Sequence, residues 1–491
     1  MPEMKAIVDA LIIGAGPAGL TAALRLQQLG YSVHIVERSP TWPRPQIGEV
    51  LTPGIRNIVD MLDVNDALET LPYLTGLPTH LRWRSSMPET VQHGDAAVVN
   101  RGLFDATLMQ VASQRGITIS QPAQIRDITG KAHDWQVQLN LAGDVQQIQA
   151  RLILDASGRN NSPQQFACAP RLSAMWAELE PDHIPASQLQ CTQVEALEHG
   201  WLWGTQLPDR RYRIMWVGDP HTAHAHMPGK AEQWLKKNCA YSQLFVELAQ
   251  APWASRLQMC AATPYMSLDS WQDGRLKLGD AAFALDPISS SGVEKAMRFS
   301  LQAVVAVHTM LSGADADHDE LARQFYEQRL TETCARHQHW TKSYYAQAWC
   351  SEKSFWQQHA HNHDHETATH PLVTSLHEQM RQLRNYRPAE LKPLTDFNQY
   401  KTLRLHPAAS MTEAYCVVDD KVQKQVALTH PNLDRPLSFL ENEALFPRLD
   451  FLWQAQTLNE VLNRLGQQMP LQKSQRITAW LWQRGILESI S

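Results

Sequence analysis

The 491-residue chain lacks several features that would assign it to a common class of protein. Its seven cysteines are odd in number and none forms a CxxC pair, which argues against a disulfide framework or a cysteine-based zinc site and favours a reduced, cytoplasmic protein. No apolar run approaches the roughly 20 residues that span a bilayer. The net charge of −6 gives no reason to expect nucleic acid or an anionic membrane as partner. Locally, lysine is absent between Lys5 and Lys131.

The first forty residues predict a β-α-β unit around a glycine-rich loop. The strand Ala10–Ile13 precedes Gly14-Ala15-Gly16-Pro17-Ala18-Gly19, and an amphipathic helix then leads to the strand Val33–Val36. The first strand starts so early that we expect no secretory leader. The loop lets a pyrophosphate approach free N–H groups at the positive end of the helix. Because Glu37 can accept hydrogen bonds from ribose hydroxyls, the unit predicts FAD or NAD rather than NADP.

A second loop lies far along the chain, where Gly279-Asp280 follows a short candidate strand and continues to Gly292. Two cofactor-type loops this far apart indicate one large cofactor held at both ends, which favours FAD. Asp280 is a candidate to hydrogen-bond a ribityl hydroxyl. Gly292-Val293 are candidates to direct backbone N–H groups at the flavin pyrimidine edge, where such groups stabilise negative charge on the reduced ring. Arg101, at the start of a predicted helix, is a candidate for the phosphates or the flavin edge. The alternatives are capping roles for Asp280 and Arg101.

The elements predict an α/β fold, α+β overall. Three strand-then-glycine segments form one doubly wound, Rossmann-like sheet, and segments rich in alternating and aromatic positions form an inserted antiparallel sheet over the active site. The predicted domains are an FAD-binding domain of residues 1–70, 98–165 and 270–350, a substrate-binding domain of 71–97 and 166–269, a helical or loop connector of 351–385, and a small α+β accessory domain of 386–491 similar to a winged helix.

Further elements are predicted in the second half of the chain. A helix over Gly292–Leu311 is followed by one that continues to about Ala348. The accessory domain has a hairpin at Tyr415–Val422 and amphipathic helices at Leu452–Leu465 and Ser474–Leu487. Residues 357–370 are polar and histidine-rich, with His361, His363, Asp364 and His365 close together. Their spacing favours a solvated loop over a metal site, so no metal is predicted.

The combined motifs resemble those of the single-component FAD monooxygenases and the related flavin-dependent halogenases. The resemblance rests on Gly14–Gly19, Glu37-Arg38, the segment Gly48-Glu49-Val50-Leu51-Thr52-Pro53, Arg101, Asp155–Arg159 and Gly279–Gly292. The Gly48–Pro53 segment and the run Asp286–Ala296 are similar to one branch, the monooxygenases that mature quinoprotein amine dehydrogenases and amino-acid oxidases. Members of that branch hydroxylate a tryptophan of a protein substrate on the way to a tryptophylquinone cofactor.

The motifs and the resemblance together nominate site residues. The candidate cofactor-binding residues are Gly14, Gly16, Pro17, Ala18, Gly19, Glu37, Arg38, Gly48, Arg101, Gly279, Asp280, Pro287, Gly292 and Val293. The candidate catalytic residues are Glu49, for positioning or proton transfer, and Pro287, Ser290 and Ser291, which would line the oxygen pocket. Trp201 and Trp203 are candidate walls of an aromatic substrate site. Core packing is the alternative for the tryptophans, and a surface or capping carboxylate is the alternative for Glu49.

Two departures from the families bear on the reaction. Halogenases use a lysine in the N-terminal half of the chain, where this sequence has none, and the guanidinium groups of Arg82 and Arg84 are poor general acids. This departure argues against halogenation. Phenol hydroxylases carry an Asp-Gly pair associated with use of reduced nicotinamide, whereas this chain has Asp155-Ala156-Ser157-Gly158.

The resemblance implies an oxygen-dependent monooxygenase with FAD as cofactor and NADH or NADPH as reductant. A flavin C4a-hydroperoxide would transfer oxygen to an aromatic ring, here the tryptophan side chain of a protein substrate docked by residues 386–491. For that C-terminal segment, a lid or dimerisation role is the alternative. Three other functions stay open: hydroxylation of a free small aromatic compound, halogenation, and non-enzymatic dinucleotide binding.

Overall fold

The structure is a computed structural model that describes residues 7–43, 46–92, 96–159, 164–226, 230–313, 316–361, 370–388, 390–394 and 402–490. The chain forms two compact units, one ending at His377 and the other beginning at Glu378. His363, Asp364 and His365 lie outside the described residues. Within the described ranges, no group of three or more His, Cys, Asp or Glu side chains is arranged to hold a metal ion, and no helix combines the length and apolar character needed to cross a membrane.

The described strands are, in chain order, β1 (Val8–Ile13), β2 (Val33–Val36), β3 (Val50–Leu51), β4 (Tyr73–Thr75), β5 (Pro78–Arg82), β6 (Glu89–Gln92), β7 (Ala97–Val99), β8 (Thr118–Ser120), β9 (Ala123–Lys131), β10 (Asp134–Leu141), β11 (Asp144–Asp155), β12 (Gln165–Ala167), β13 (Ser173–Leu179), β14 (Thr192–Leu197), β15 (Gly200–Gln206), β16 (Tyr212–Gly218), β17 (Gln258–Ala261), β18 (Tyr265–Ser267), β19 (Trp271–Gln272), β20 (Arg275–Lys277), β21 (Phe283–Ala284), β22 (Thr402–Leu405), β23 (Ser410–Val418), β24 (Lys421–Thr429), β25 (Phe439–Leu440), β26 (Glu443–Ala444), β27 (Gln456–Thr457) and β28 (Leu487–Ile490).

The described α-helices are α1 (Pro17–Gln28), α2 (Ile55–Leu62), α3 (Asn65–Glu69), α4 (Arg101–Gln114), α5 (Pro220–His226), α6 (Ala231–Tyr241), α7 (Gly292–Ser312), α8 (Ala316–Tyr345), α9 (Ser354–Ala360), α10 (Pro371–Asn385), α11 (Leu458–Gly466) and α12 (Leu471–Gln483).

The first sheet is the doubly wound sheet that the sequence predicts. Its strand order is β19-β20-β11-β1-β2-β8. β20, β11, β1, β2 and β8 run parallel to one another, whereas β19 pairs with β20 antiparallel. The hairpin of β9 and β10 extends it through antiparallel pairing with β11. Leu11 and Ile12 of β1 are fully buried, and α1 packs against α7 beside the sheet. Parallel strands buried in this way read as continuous apolar runs, which is why the sequence reveals them.

The second sheet has seven strands in the order β17-β13-β16-β15-β14-β5-β6. Its pairs are antiparallel except β5 with β14, which run parallel. The predicted antiparallel sheet is therefore present, with β5 and β14 as its one parallel pair among the described strands. β5 and β14 are separated by more than one hundred residues, so no short hairpin fixes their relative direction.

The two faces of this sheet carry different residues because side chains alternate along each strand. Met175, Ile214 and Trp216 lie on one face, in a hydrophobic cluster with Trp234 of α6 and Phe245. The opposite face carries the residues that alternate with these, and it borders the cavity described below.

The unit that begins at Glu378 is a small α+β domain. β27, β22 and β28 form a three-stranded antiparallel sheet, and Leu403, Val461 and Leu481 join it to α11 and α12 in one core. A separate hairpin of β23 and β24 turns at Asp419 and Asp420, whose positive φ angles of 51° and 60° are those of a tight type I′ turn. The comparison with a winged helix stays a prediction.

Several boundaries differ from the sequence-based prediction. The first accessory helix begins at Leu458 rather than Leu452, because Thr457 forms a capping box with Glu460. The second ends at Gln483, and Leu487 belongs to β28, since Gly485 has a φ of 68° that interrupts the helix. Residues 357–360, predicted as loop, are the last residues of α9.

Candidate active site

A cavity of about 920 Å³ is lined by residues of both the doubly wound sheet and the seven-stranded sheet of the first unit. Its walls include the glycine loop after β1, the segment around Gly48, the start of α4, the loop before α7, and one face of the seven-stranded sheet. Because the walls come from segments more than two hundred residues apart, the cavity exists only in the folded chain. It lies next to the carboxyl end of β1, which is where doubly wound sheets bind ligands.

The glycine loop forms one end of the cavity. Gly14 has a φ of 103°, and a Cβ there would lie 2.5 Å from the carbonyl oxygen of Ala156, so only glycine fits. Gly19 is also packed, against the carbonyl oxygen of Gly14, and it does not line the cavity. Gly16 lines the cavity with no described atom within 4 Å of the position of a Cβ. The loop therefore combines tight packing on one side with an open approach to the N-terminus of α1 on the other.

Glu37, at the end of β2, is 2% exposed and lines the cavity. Its Oε2 accepts a 2.7 Å hydrogen bond from the backbone N–H of Ala15, and its Oε1 accepts one of 2.7 Å from Ser39. These bonds fix the carboxylate against the glycine loop. A carboxylate oxygen can accept more than one hydrogen bond. The predicted contact of Glu37 with ribose hydroxyls is therefore compatible with these bonds and stays a prediction.

Arg101 is buried at the start of α4 and lines the cavity. Its Nη2 donates to both carboxylate oxygens of Asp105, at 3.0 and 3.1 Å, and its Nη1 donates to the carbonyl oxygen of Ile47 at 2.9 Å. The guanidinium group thus ties the helix to the segment before Gly48, which itself has a φ of 92°. The alternative of an exposed capping arginine does not hold.

The loop after β20 forms the other end of the cavity. Gly279 and Asp280 line it, and Asp280 forms an ion pair of 3.2 Å with Arg159, which also lines it. Arg159 extends over the ring of Tyr265, 5.7 Å from its centroid, and the hydroxyl of Tyr265 donates to the backbone carbonyl of Asp280. Arg159 thus holds the Asp280 side chain at the cavity wall.

The segment from Asp286 to Gly292 is shaped by side-chain hydrogen bonds. Asp286 caps the short 3₁₀ turn Pro287–Ser289 by accepting from the N–H of Ile288 at 3.0 Å. Ser290 follows with a φ of 48°, and α7 begins at Gly292. Pro287, Ser290, Gly292 and Val293 line the cavity. Ser291 does not, and its hydroxyl lies 2.8 Å from that of Ser289.

A buried hydrogen-bonded chain connects this segment to the second sheet. The indole Nε1 of Trp201 donates to the hydroxyl of Tyr345 at 3.2 Å, and that hydroxyl donates to the Asp286 carboxylate at 3.1 Å. Burial raises the pKa of Asp286 to about 7. Burial also lowers the pKa of His337 to about 4, which favours the neutral ring whose Nε2 accepts from the N–H of Asp286 at 3.0 Å.

The sheet face that borders the cavity carries a row of aromatic and thioether side chains. Met215 of β16 lies opposite Trp176 of β13 on one side and opposite Trp203 of β15 on the other. All three line the cavity, and Trp201 lines it one row further along. Trp201 and Trp203 also belong to a hydrophobic cluster with Trp83 and Trp356, so each is both a core residue and a wall.

The next row of the same face carries charge. Arg213 lies opposite Glu178, with 2.6 Å between Nη2 and Oε1, and its Nη1 lies 2.7 Å from Oε1 of Glu49. The side chains of Glu49 and Arg213 are only 5% and 7% exposed, and both line the cavity. Glu49 is therefore neither a surface nor a helix-capping carboxylate.

Most of the residues nominated from sequence meet at this cavity. Those that line it are Gly14, Gly16, Pro17, Ala18, Glu37, Arg38, Gly48, Glu49, Arg101, Trp201, Trp203, Gly279, Asp280, Pro287, Ser290, Gly292 and Val293. Their individual roles stay predictions. Sequence reasoning missed Trp176, Met215 and Arg213, whose only signal is the two-residue alternation of their strands.

The cavity fits FAD on its own geometry. A glycine cradle opens on a helix N-terminus at one end, and the Asp280–Arg159 ion pair with a second helix N-terminus, that of α7, stands at the other. Such termini favour phosphate and the negative charge of a reduced flavin. One face of the seven-stranded sheet borders the same cavity.

Comparisons with known proteins agree with this fit. A family model described as an FAD binding domain matches residues 7–341, more than half of the chain. A tryptophan 2-halogenase of Chondromyces crocatus is 26% identical over 331 residues, which are 63% of this chain and 63% of that protein. The chain thus matches less than two thirds of that relative's length.

Two solved structures share the fold over nearly the whole chain. The flavin-dependent halogenase CmlS has a TM-score of 0.74 at 19% identity, with 99% of this chain and 96% of CmlS covered. The peptidyl tryptophan dihydroxylase QhpG, which is essential for tryptophylquinone cofactor biogenesis, has a TM-score of 0.71 at 20% identity, with 98% and 100% covered. The chain belongs to the FAD-binding superfamily of flavin-dependent monooxygenases and halogenases.

Proposed function

We propose that the protein is an FAD-dependent monooxygenase that hydroxylates an aromatic ring. The observation that carries the proposal is the row Trp176, Met215 and Trp203, which faces the cofactor cavity from the second sheet. Indole and thioether surfaces bind a flat apolar ring by stacking and by sulfur contacts. We further propose that the ring is a tryptophan side chain of a protein substrate, as it is for QhpG, in the biogenesis of a tryptophylquinone cofactor.

FAD, when bound, would supply the redox chemistry, by accepting a hydride from NADH or NADPH and activating dioxygen. The chain's own contribution is to position and to exclude water. The glycine loop and Glu37 would hold the adenosine and pyrophosphate end, and Asp280 with Arg159 the ribityl end. Pro287 and Ser290 would border the oxygen-reactive part of the site, and the buried aromatic row would keep water from it.

Halogenation is the second candidate, because a tryptophan halogenase and CmlS are among the similar proteins. Against it stands the composition of the cavity wall. Among the described residues that line it there is no lysine, and the charged groups are arginines and carboxylates. Arginine stays protonated and is a poor general acid, so the site lacks the ammonium group that halogenases use.

The test is a turnover reaction with purified protein, FAD, NADH or NADPH, and a tryptophan-containing peptide, run with and without chloride and bromide. Mass spectrometry of the peptide should show a gain of one or two oxygen atoms that does not depend on halide. A halide-dependent mass shift would favour the second candidate. In a parallel reaction with a small aromatic compound in place of the peptide, oxygenation of that compound while the peptide stays unmodified would restrict the function to free substrates. The Trp203→Ala variant should retain FAD but form less oxygenated peptide, since it removes part of the aromatic row but no residue of the glycine loop.

A further inference from the structure

The charged row beside the aromatic row has unused hydrogen-bonding capacity. Although Arg213 Nη1 and Glu49 Oε1 lie 2.7 Å apart, their geometry is not that of a hydrogen bond. Among the described residues, the Nε and Nη1 groups of Arg213 and the Oε1 of Glu49 have no hydrogen-bond partner. Buried polar groups are nearly always satisfied, and an unsatisfied one requires an explanation. These groups line the cavity, so the natural partner is a ligand.

The free groups offer donors and an acceptor side by side. Arg213 provides N–H donors and Glu49 an acceptor oxygen. A main-chain amide presents the complementary pair, a carbonyl oxygen and an N–H. A bare indole ring presents only one N–H, and it would occupy the aromatic row. Arg213 lies two residues from Met215 along β16, roughly 7 Å away, so the charged row can contact a group attached to a ring bound at the aromatic row.

The net charge of the row favours a neutral amide over a carboxylate as its ligand. Arg213 already faces two carboxylates, Glu49 and Glu178, and Glu178 also pairs with Arg211, which in turn contacts Asp209. The cluster thus holds three carboxylates and two guanidinium groups, a net charge of −1. A free carboxylate would add a further anion next to Glu49 and Glu178, which is unfavourable in a buried site. A neutral amide adds none.

We infer that Glu49 and Arg213 form a subsite for the main-chain amide of the residue whose aromatic ring is oxidised. The inference rests on the proposed function and deepens it, because it assigns the protein-substrate preference to two residues of this chain. Both are positioning residues. They would place the ring by holding its backbone, and they would favour a tryptophan within a polypeptide over the free amino acid.

The experiment measures binding to the FAD-loaded protein without a reductant, so that no turnover occurs. The probes are N-acetyl-tryptophanamide, which carries two neutral amides, 3-methylindole, which carries none, and free tryptophan, which carries a carboxylate and an ammonium group. Hydrogen bonds to charged partners predict that N-acetyl-tryptophanamide binds about 10- to 100-fold more tightly than 3-methylindole. Free tryptophan should bind more weakly than the amide.

The variants separate recognition from structure. The double variant Glu49→Gln, Arg213→Gln removes both charges together, so that neither is left buried without its partner, while Glu178 keeps Arg211. It should bring the affinity ratio of amide to 3-methylindole close to one and leave the affinity for 3-methylindole unchanged. Arg211→Gln is the control, because Arg211 contacts Glu178 without lining the cavity, and it should keep the ratio. FAD content and thermal unfolding report whether each variant is folded.

Each outcome has one meaning. If the folded double variant keeps the native ratio, the pair is a structural tie between Gly48 and the sheet and the inference is overturned. If free tryptophan binds more tightly than the amide in a way that needs Arg213, the subsite takes an amino acid and the inference is also overturned. If the amide preference is found but no oxygenated peptide forms, the proposed function fails while the subsite stands. If all probes bind equally and the peptide is nevertheless hydroxylated, the subsite inference fails while the proposed function stands.

Discussion

The ionisation of Asp286 gives a prediction with a magnitude. The side chain is 1% exposed, and burial raises its pKa from 3.8 to about 7, against the opposing effect of hydrogen bonds from Ile288 and Tyr345. A raised pKa means that the folded chain binds the proton more tightly than the unfolded chain. The associated stability is fully present below about pH 4 and is lost as the pH rises through about 7. Three pH units correspond to at most about 4 kcal/mol.

The perturbation is Asp286→Asn, which cannot ionise and keeps an oxygen for Ile288 and Tyr345. The free energy of unfolding of the variant minus that of the native protein should rise between about pH 4 and about pH 7 and then level off. His337 acts in the opposite direction, because burial lowers its pKa to about 4 and its contribution is lost as the pH falls. Both proteins contain His337, so its effect cancels in the difference.

The assay is chemical denaturation at a series of pH values with FAD held at one concentration. Asp219→Asn is the control. Although partial burial opposes it, hydrogen bonds from Thr222 and His221 lower the pKa of Asp219, so this variant should show no rise over the same range. A difference in unfolding free energy between Asp286→Asn and the native protein that stays constant from about pH 4 to about pH 7 would show that Asp286 does not have a raised pKa. The infrared carbonyl band of a protonated carboxyl group, absent from the variant, gives an independent check.

Three further predictions concern single residues. Gly14→Ala should abolish FAD binding, measured by absorbance after gel filtration, because the new Cβ would lie 2.5 Å from the carbonyl oxygen of Ala156. Gly30→Ala is the control. Gly30 has a φ of 86° but no atom within 4 Å of the Cβ position, so this variant should keep FAD and lose only about 1 kcal/mol of stability. Trp203→Ala should lower the unfolding free energy by about 3–5 kcal/mol and weaken the binding of aromatic ligands. Thr457→Ala should destabilise the accessory unit by about 1 kcal/mol in thermal unfolding, and Thr457→Ser should not.

Each of these has a contrary result. Normal flavin content in Gly14→Ala would remove the glycine loop from the cofactor site. Unchanged affinity for aromatic ligands in a folded Trp203→Ala protein would assign this tryptophan to the core alone. Equal stability of the alanine and serine variants of Thr457 would show that its hydroxyl does not cap α11.

The sequence predicted the parts of the fold that local chemistry specifies. β1, α1 and β2 follow from an apolar strand, a glycine turn and a helical face. β1 and β2 appear within two residues of their predicted bounds, and α1 lies between them. The parallel pairing of β5 with β14 was not predictable, because strand direction across a long connection depends on tertiary packing. The start of α11 was misplaced because Leu452 and Trp453 belong to a separate 3₁₀ turn, and Gln456 and Thr457 form β27 before the α-helix begins.

The same division holds for the site. Loops that require glycine, such as those at Gly14 and Gly279, can be recognised from the local sequence and do line the cavity. The role of Arg213 cannot be recognised from its local sequence. Its position beside Glu49 depends on the register of β16 against β13 and on a segment more than 150 residues earlier. The alternation of β16 indicated a strand in the second sheet but not which face borders the cofactor cavity.

The most direct test of the central claim is the mass of a tryptophan-containing peptide after reaction with the FAD-loaded protein, a nicotinamide donor and oxygen in the presence of halide. A hydroxylase should add one or two oxygen atoms to the tryptophan, in equal yield with and without halide. A chlorinated or brominated product would contradict it.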